Sequence, residues 1–100
     1  YDGSNYANTA GIFARATENY TSTSRGSAIW FETTPNGSAS RAQRMLIAQN
    51  GNVGIGTTTP TAKLQVVGLP VHADNAAAIT AGLTAGAFYH AGDGVLRVVF

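Results

Sequence analysis

The chain has no cysteine, three prolines, one methionine and one tryptophan among its 100 residues, and only 11% of those residues are charged. Without cysteine, neither disulfides nor thiolate metal sites can reinforce a small domain. Six basic and five acidic residues give a formal net charge of +1. That balance supplies no electrostatic footprint for nucleic acid and no polybasic patch for a membrane surface. No apolar run approaches the ~18 residues of a membrane-spanning helix, so no membrane insertion is expected, and no basic-then-apolar signal peptide opens the chain. It opens on Tyr1 instead of methionine, which reads as a processed or partial chain.

Large apolar side chains are also few. Hydrophobic residues make up 44%, but alanine supplies 17 of them, and Leu, Ile, Val and Phe together number 21. Chains stop burying enough surface to fold near ~20% of those four types. Ordering each residue costs ~1.5 kcal/mol of conformational entropy, so a private core this thin points to self-association as a further source of stability. The abundant residues are 12 Gly, 12 Thr, 7 Asn and 6 Ser, the chemistry of turns and exposed strands. The expected class is mainly all-β.

Punctuation by Gly, Pro and Asn divides the chain into candidate elements. Strands are expected at Gly11–Thr17, at Ala28–Thr33 and from Arg44 to Gln49, with Pro35-Asn36-Gly37-Ser38 turning between the last two. Asn50-Gly51 turns again into Val53-Gly54-Ile55, making a meander. Val53 and Ile55 face one way and Gly54 and Gly56 the other, leaving a side without side chains that another backbone can approach. Alternation resumes at Ala62–Val66, with Leu64 and Val66 inward and Lys63 and Gln65 outward. Beyond a boundary at Gly68–Val71, Asp74 caps a short Ala-rich helix over 74–82 that Gly82 ends. Ala87–His90 and Val95–Phe100 flank Gly92-Asp93-Gly94 as a C-terminal hairpin. The organisation is thus a β-rich module over 1–67 and a helix-plus-hairpin module over 68–100.

Chemistry-bearing residues are sparse. Gly51-Asn52-Val53-Gly54-Ile55-Gly56-Thr57 imitates a phosphate loop, but Thr57 stands where lysine is needed and Pro60 prevents the helix whose N-terminus would hold phosphate. Of the five acids, Asp2, Glu18, Glu32, Asp74 and Asp93, only Glu18 and Glu32 lie near aromatics (Tyr20, Trp30, Phe31) that could hold a sugar for a glycosidase. His72 and His90 have no second ligand at metal spacing. No catalytic residue, metal or cofactor is expected. Asn19-Tyr20-Thr21 and Asn36-Gly37-Ser38 match the glycosylation acceptor pattern, which matters only in a eukaryotic secretory route. Trp30, Tyr89 and His90 are candidate receptor contacts, because aromatic faces stack on sugars; core or interface packing is the plainer role for Trp30.

The block Gly26-Ser27-Ala28-Ile29-Trp30-Phe31, Thr33-Thr34-Pro35-Asn36-Gly37-Ser38, Arg44-Met45-Leu46-Ile47 and Asn50-Gly51-Asn52-Val53-Gly54-Ile55-Gly56-Thr57-Thr58-Thr59-Pro60-Thr61-Ala62-Lys63-Leu64-Gln65-Val66 resembles a β-module of bacteriophage tail fibres and tailspikes. In that family the module often precedes a self-cleaving intramolecular chaperone domain. The stretch from Ala76 through Gly82-Leu83 to Phe88-Tyr89 and Leu96-Arg97-Val98-Val99 is similar to a short module closing other phage virion proteins. The resemblance implies a homotrimeric β-fibre, intertwined or stacked, located in the virion. It implies partners among other fibre or baseplate proteins and a host-surface glycan or protein. The chaperone domain does not follow Val66, so no cleavage chemistry carries over. In such a trimer Met45, Ile47, Val53, Ile55, Leu64 and Val66 are expected to line the shared axis or the sheet interior. The alternatives are a capsid or neck fibre or decoration protein, a glycan-degrading tailspike segment, and a bacterial surface adhesin.

Overall fold

A computed structural model of the chain describes residues 9–100, so Asp2 lies outside the described residues. The chain divides into two compact units, Tyr1–Val67 and Gly68–Phe100. Among the described residues strands dominate, and one short helix accompanies them.

The first unit is a five-stranded sheet of β1 (Gly11–Ala16), β2 (Ser27–Thr33), β3 (Ala42–Ile47), β4 (Val53–Ile55) and β5 (Leu64–Val66), side by side in sequence order. The first four strands form the expected antiparallel meander. Its tightest corner is Gln49-Asn50-Gly51. The Gly51 N–H donates to the Ala48 carbonyl at 2.9 Å, the Ala48 N–H to the Asn52 carbonyl at 2.8 Å, and Asn50 Oδ1 accepts from the Asn52 N–H at 3.1 Å. Of the Asn-Gly pair only Gly51 takes a positive φ, +86°, which is the arrangement of a three-residue loop closed by a glycine bulge. A second irregularity lies between β2 and β3, where the register shifts between Phe31 and Glu32. Such a bulge bends the strand and strengthens its twist.

Strand β5 departs from the meander by pairing parallel to β4, in the register Val53↔Leu64, Gly54↔Gln65, Ile55↔Val66. Parallel neighbours usually need a crossover of about a dozen residues. Residues 56–63 suffice here because each strand is three residues long. This short crossover folds back over β4. A Cβ on buried Gly54 would lie 2.7 Å from the Thr57 carbonyl oxygen, and one on Gly56 2.7 Å from that of Val67. The side-chain-free side of β4 therefore receives the chain's own backbone, not that of another copy. Asn52 Nδ2 donates to the Pro60 carbonyl at 3.3 Å, and Gln65 Oε1 accepts from the Thr61 N–H at 2.9 Å, tying the middle of the crossover to the residue before β4 and to β5.

The second unit begins with α1 (Asn75–Thr80), capped by Asp74, whose Oδ1 accepts from the Ala77 N–H at 2.8 Å. At the other end the Gly82 N–H donates to the Ile79 carbonyl and the Leu83 N–H to that of Ala78, while Gly82 adopts φ +100°. These two reversed bonds satisfy carbonyls that the helix would otherwise leave orphaned. Strands β6 (Phe88–Tyr89) and β7 (Arg97–Val98) pair antiparallel, so the hairpin is present but shorter than the apolar runs suggest. Ala78, Tyr89 and Val99 form the core, with Leu83 and Ala87 packed against it. Asn75 ties the hairpin to α1: its amide nitrogen donates to the Phe100 carbonyl at 2.9 Å and its oxygen accepts from the Phe100 N–H at 3.0 Å.

Candidate functional site

Cross-strand partners share a face of a sheet, so the registers assign every strand residue to one side. One side carries two rows that run the full width of the first unit: Ala14, Ile29, Ile47, Val53 and Leu64, and beside it Ile12, Phe31, Met45, Ile55 and Val66. All ten are apolar. None of them is buried. The opposite side carries Phe13, Trp30, Leu46, Gly54 and Gln65 in one row, with Arg15 opposite Ala28 and Gly11 opposite Glu32. Among the described residues of the unit the buried ones, Ala28, Leu46 and Gly54, all lie on this mixed side.

The arrangement reverses the usual sheet, in which the apolar face is covered and the polar face wet. It also corrects the sheet-interior expectation for Met45, Ile47, Val53, Ile55, Leu64 and Val66. All six lie on one face, but that face is not an interior of the single chain: Leu64 is 62% exposed and Ile55 42%. Inside the chain the covered side is the one where the crossover lies over Gly54. On folded proteins, contiguous exposed apolar surfaces accompany interaction sites, ligand grooves or aggregation-prone faces.

On the mixed side, Trp30 and Phe13 lie 6.2 Å apart between ring centroids. The Arg15 guanidinium stands 5.6 Å over the Trp30 ring, and that of Arg41 4.9 Å over Phe13. Glu32 holds Arg41 through an ion pair of 3.2 Å. Trp30 is thus a half-buried ring capped by an arginine, not a bare stacking platform. The two acids weighed as a pair serve separate contacts: Glu32 binds Arg41, and Glu18 accepts from the Gly26 N–H across the β1–β2 connection. The bulge and the Arg41 contact had no sequence signal, because both depend on a register slip that alternation does not encode.

Tyr89 requires a correction as a receptor contact. It is 3% exposed and forms the centre of the second unit's core, 6.3 Å from the His72 ring. His90 is half-buried. Its backbone N–H donates to the Pro70 carbonyl, its carbonyl accepts from His72, and its Nδ1 accepts from the Gly92 N–H at 3.0 Å. With Leu69, Gly92, Gly94, Val95 and Leu96 it lines an open cavity of about 260 Å³. Among the described residues no group of three or more His, Asp or Glu could hold a metal ion.

Beside that cavity, Asp93 accepts from Arg97 Nη2 at 2.8 Å and from the Val95 N–H at 3.0 Å. The Arg97 hydrogen bond, followed by the Val95 N–H, holds the Asp93 carboxyl below its ordinary value of 3.8, and Asp93 raises Arg97 in turn. A depressed folded pKa stabilises the loop above the unfolded value and is lost as pH falls through the folded one. Acidification below pH 3.8 is therefore expected to weaken the hold of Asp93 on the Val95 N–H. Amide exchange at Val95 followed downward from neutral pH checks this; unchanged protection at the lowest pH would contradict it.

No protein-family model and no curated protein matches the chain.

Proposed function

We propose that the chain is a structural segment of a bacteriophage tail fibre or tailspike, working as a homotrimer in the virion and supporting host-surface adsorption. The observation that carries the assembly is the ten-residue apolar face, which includes all six residues expected at a shared axis. A face of this kind is unstable in water, and the partner available wherever the chain is made is another copy of it. If covering it removes ~500 Å² of apolar surface per chain, the gain is ~12 kcal/mol before association costs, comparable to the ~5–15 kcal/mol that holds a whole domain folded. The virion assignment draws on the resemblance of about residues 26–67 to phage fibre modules.

The role in this reading is mechanical: three sheets share a centre, no bond is made or broken, and exposed loops act as weak contacts multiplied by copy number. The β2–β3 loop, with its Pro35–Ser38 turn, and the polar Arg15, Glu32 and Arg41 group are the surfaces left outward when the apolar face is covered. Light scattering on the purified chain is expected to give three times the chain mass, and labelled antibody on the source particle to mark a tail appendage. A single-chain mass, or label confined to the capsid, would overturn the assembly or the placement respectively.

A further inference from the structure

We infer that the mixed side of the first sheet carries a binding site for an acidic polysaccharide, in which Arg15 takes a sugar carboxylate and the Glu32–Arg41 pair takes sugar hydroxyls. The inference deepens the proposed adsorption role and rests on that reading for one point, that this side faces outward. Four side chains form a continuous stack here. The Arg15 guanidinium lies 5.6 Å from the Trp30 ring centre, Trp30 lies 6.2 Å from Phe13, and the Arg41 guanidinium lies 4.9 Å from the Phe13 ring centre. The Phe13↔Trp30 register of β1 and β2 brings the two rings together, and Arg41 enters from the residue before β3. A Cβ on Gly11 would meet the Phe13 ring at 2.6 Å, so the ring occupies the room that this glycine leaves. The crossover covers the same side at Gly54 on β4, away from the stack.

Three features give the chemistry of the ligand. First, a guanidinium lying over a ring uses its face, and its N–H rim stays available for the bidentate pairing that a carboxylate accepts. Arg15 is exposed, and the ring beside it restricts its rotamers, so less freedom is lost when a ligand docks. Second, the two ends of the stack differ in charge. Glu32 neutralises Arg41 at 3.2 Å and Glu18 is engaged by the Gly26 N–H, and among the described residues no acid forms an ion pair with Arg15. One uncompensated cation suits a polymer of sparse charge. Duplex nucleic acid, with a charge every ~1.7 Å, is held by many cations at once. Third, Glu32 accepts and Arg41 donates side by side, and a hydroxyl is both donor and acceptor. A uronic acid polymer carries a carboxylate and hydroxyls on every unit, whereas an acidic peptide brings carboxylates alone to both ends of the stack.

Binding of the full chain is measured against polygalacturonate, the same polymer fully methyl-esterified, and polyglutamate, with mass by light scattering on the same samples. Polygalacturonate is expected to bind most tightly of the three. Arg15→Gln is expected to weaken that complex roughly tenfold or more, the loss of a charge-assisted pair. Lys63→Gln, the same change of charge beside β5 at the opposite edge of the sheet, is expected to leave it unchanged. Amide protection along β1 verifies that the strand is intact, and Arg15→Lys, which keeps the charge and removes the fork, replaces Arg15→Gln if it is not. Absence of polygalacturonate binding, equal binding of the ester or of polyglutamate, or equal losses for the Arg15 and Lys63 variants overturns the inference. Arg15-dependent binding by a species of single-chain mass overturns the proposed assembly and leaves the inference standing; three times the chain mass without binding does the opposite.

Discussion

Ile55→Asp is expected to convert the assembled protein to single chains, a change of threefold in mass by light scattering. Ile55 lies between Met45 and Val66 in one of the two apolar rows, so every route that covers the face covers this position. A carboxylate moved out of water without a partner costs several kcal/mol, or neutralises by taking up a proton, and in a trimer the cost is incurred three times. More than a hundredfold weaker association follows from ~3 kcal/mol at one site. The matched control is Thr58→Asp on the β4–β5 crossover, exposed and off the apolar face, where no change in mass is expected. If Ile55→Asp elutes with the parent mass, the apolar face is not the shared surface.

The second large effect concerns the glycines of the crossover. Gly56→Ala combines two penalties: φ of +75° is unfavourable for an L side chain, and the new Cβ would lie 2.7 Å from the Val67 carbonyl oxygen. The left-handed conformation alone costs about 1–2 kcal/mol. The backbone clash adds to it, because the Val67 main chain is held to β4 by its N–H bond to the Ile55 carbonyl and cannot swing aside as a flexible side chain can. Gly37→Ala, at φ +77° with open space around it, isolates the first penalty. The expected result is a fall in melting temperature for Gly56→Ala at least twice that for Gly37→Ala, at ~4–8 °C per kcal/mol for a domain of this size. Equal shifts would mean that Val67 can yield, and that the crossover is not packed as tightly as the distances indicate.

These two effects also mark how far the sequence could be read. The meander, the Asp74 cap and the Gly82 helix stop follow from local rules of turn and cap chemistry, and those features are present in the structure. The grouping of Met45, Ile47, Val53, Ile55, Leu64 and Val66 follows from alternation, because period two assigns residues to a face regardless of what covers it. What alternation cannot supply is which face is covered. The common pattern led to an apolar interior, whereas the crossover packs over Gly54 and leaves the apolar rows open. The parallel pairing of β5 was likewise hidden, since nothing in Ala62–Val66 distinguishes a parallel partner from an antiparallel one. Tyr89 illustrates the same limit: an aromatic between Phe88 and His90 reads equally as surface or core until the position of α1 is known.

The most direct test is thermal melting of the full chain over a wide range of concentration, with mass measured on the same samples. If the apolar sheet face is shared among copies, the midpoint rises with concentration and the folded species has three times the chain mass, because dissociation and unfolding are then linked. A sharp, cooperative transition of a single chain, at a midpoint that dilution does not move, would contradict it.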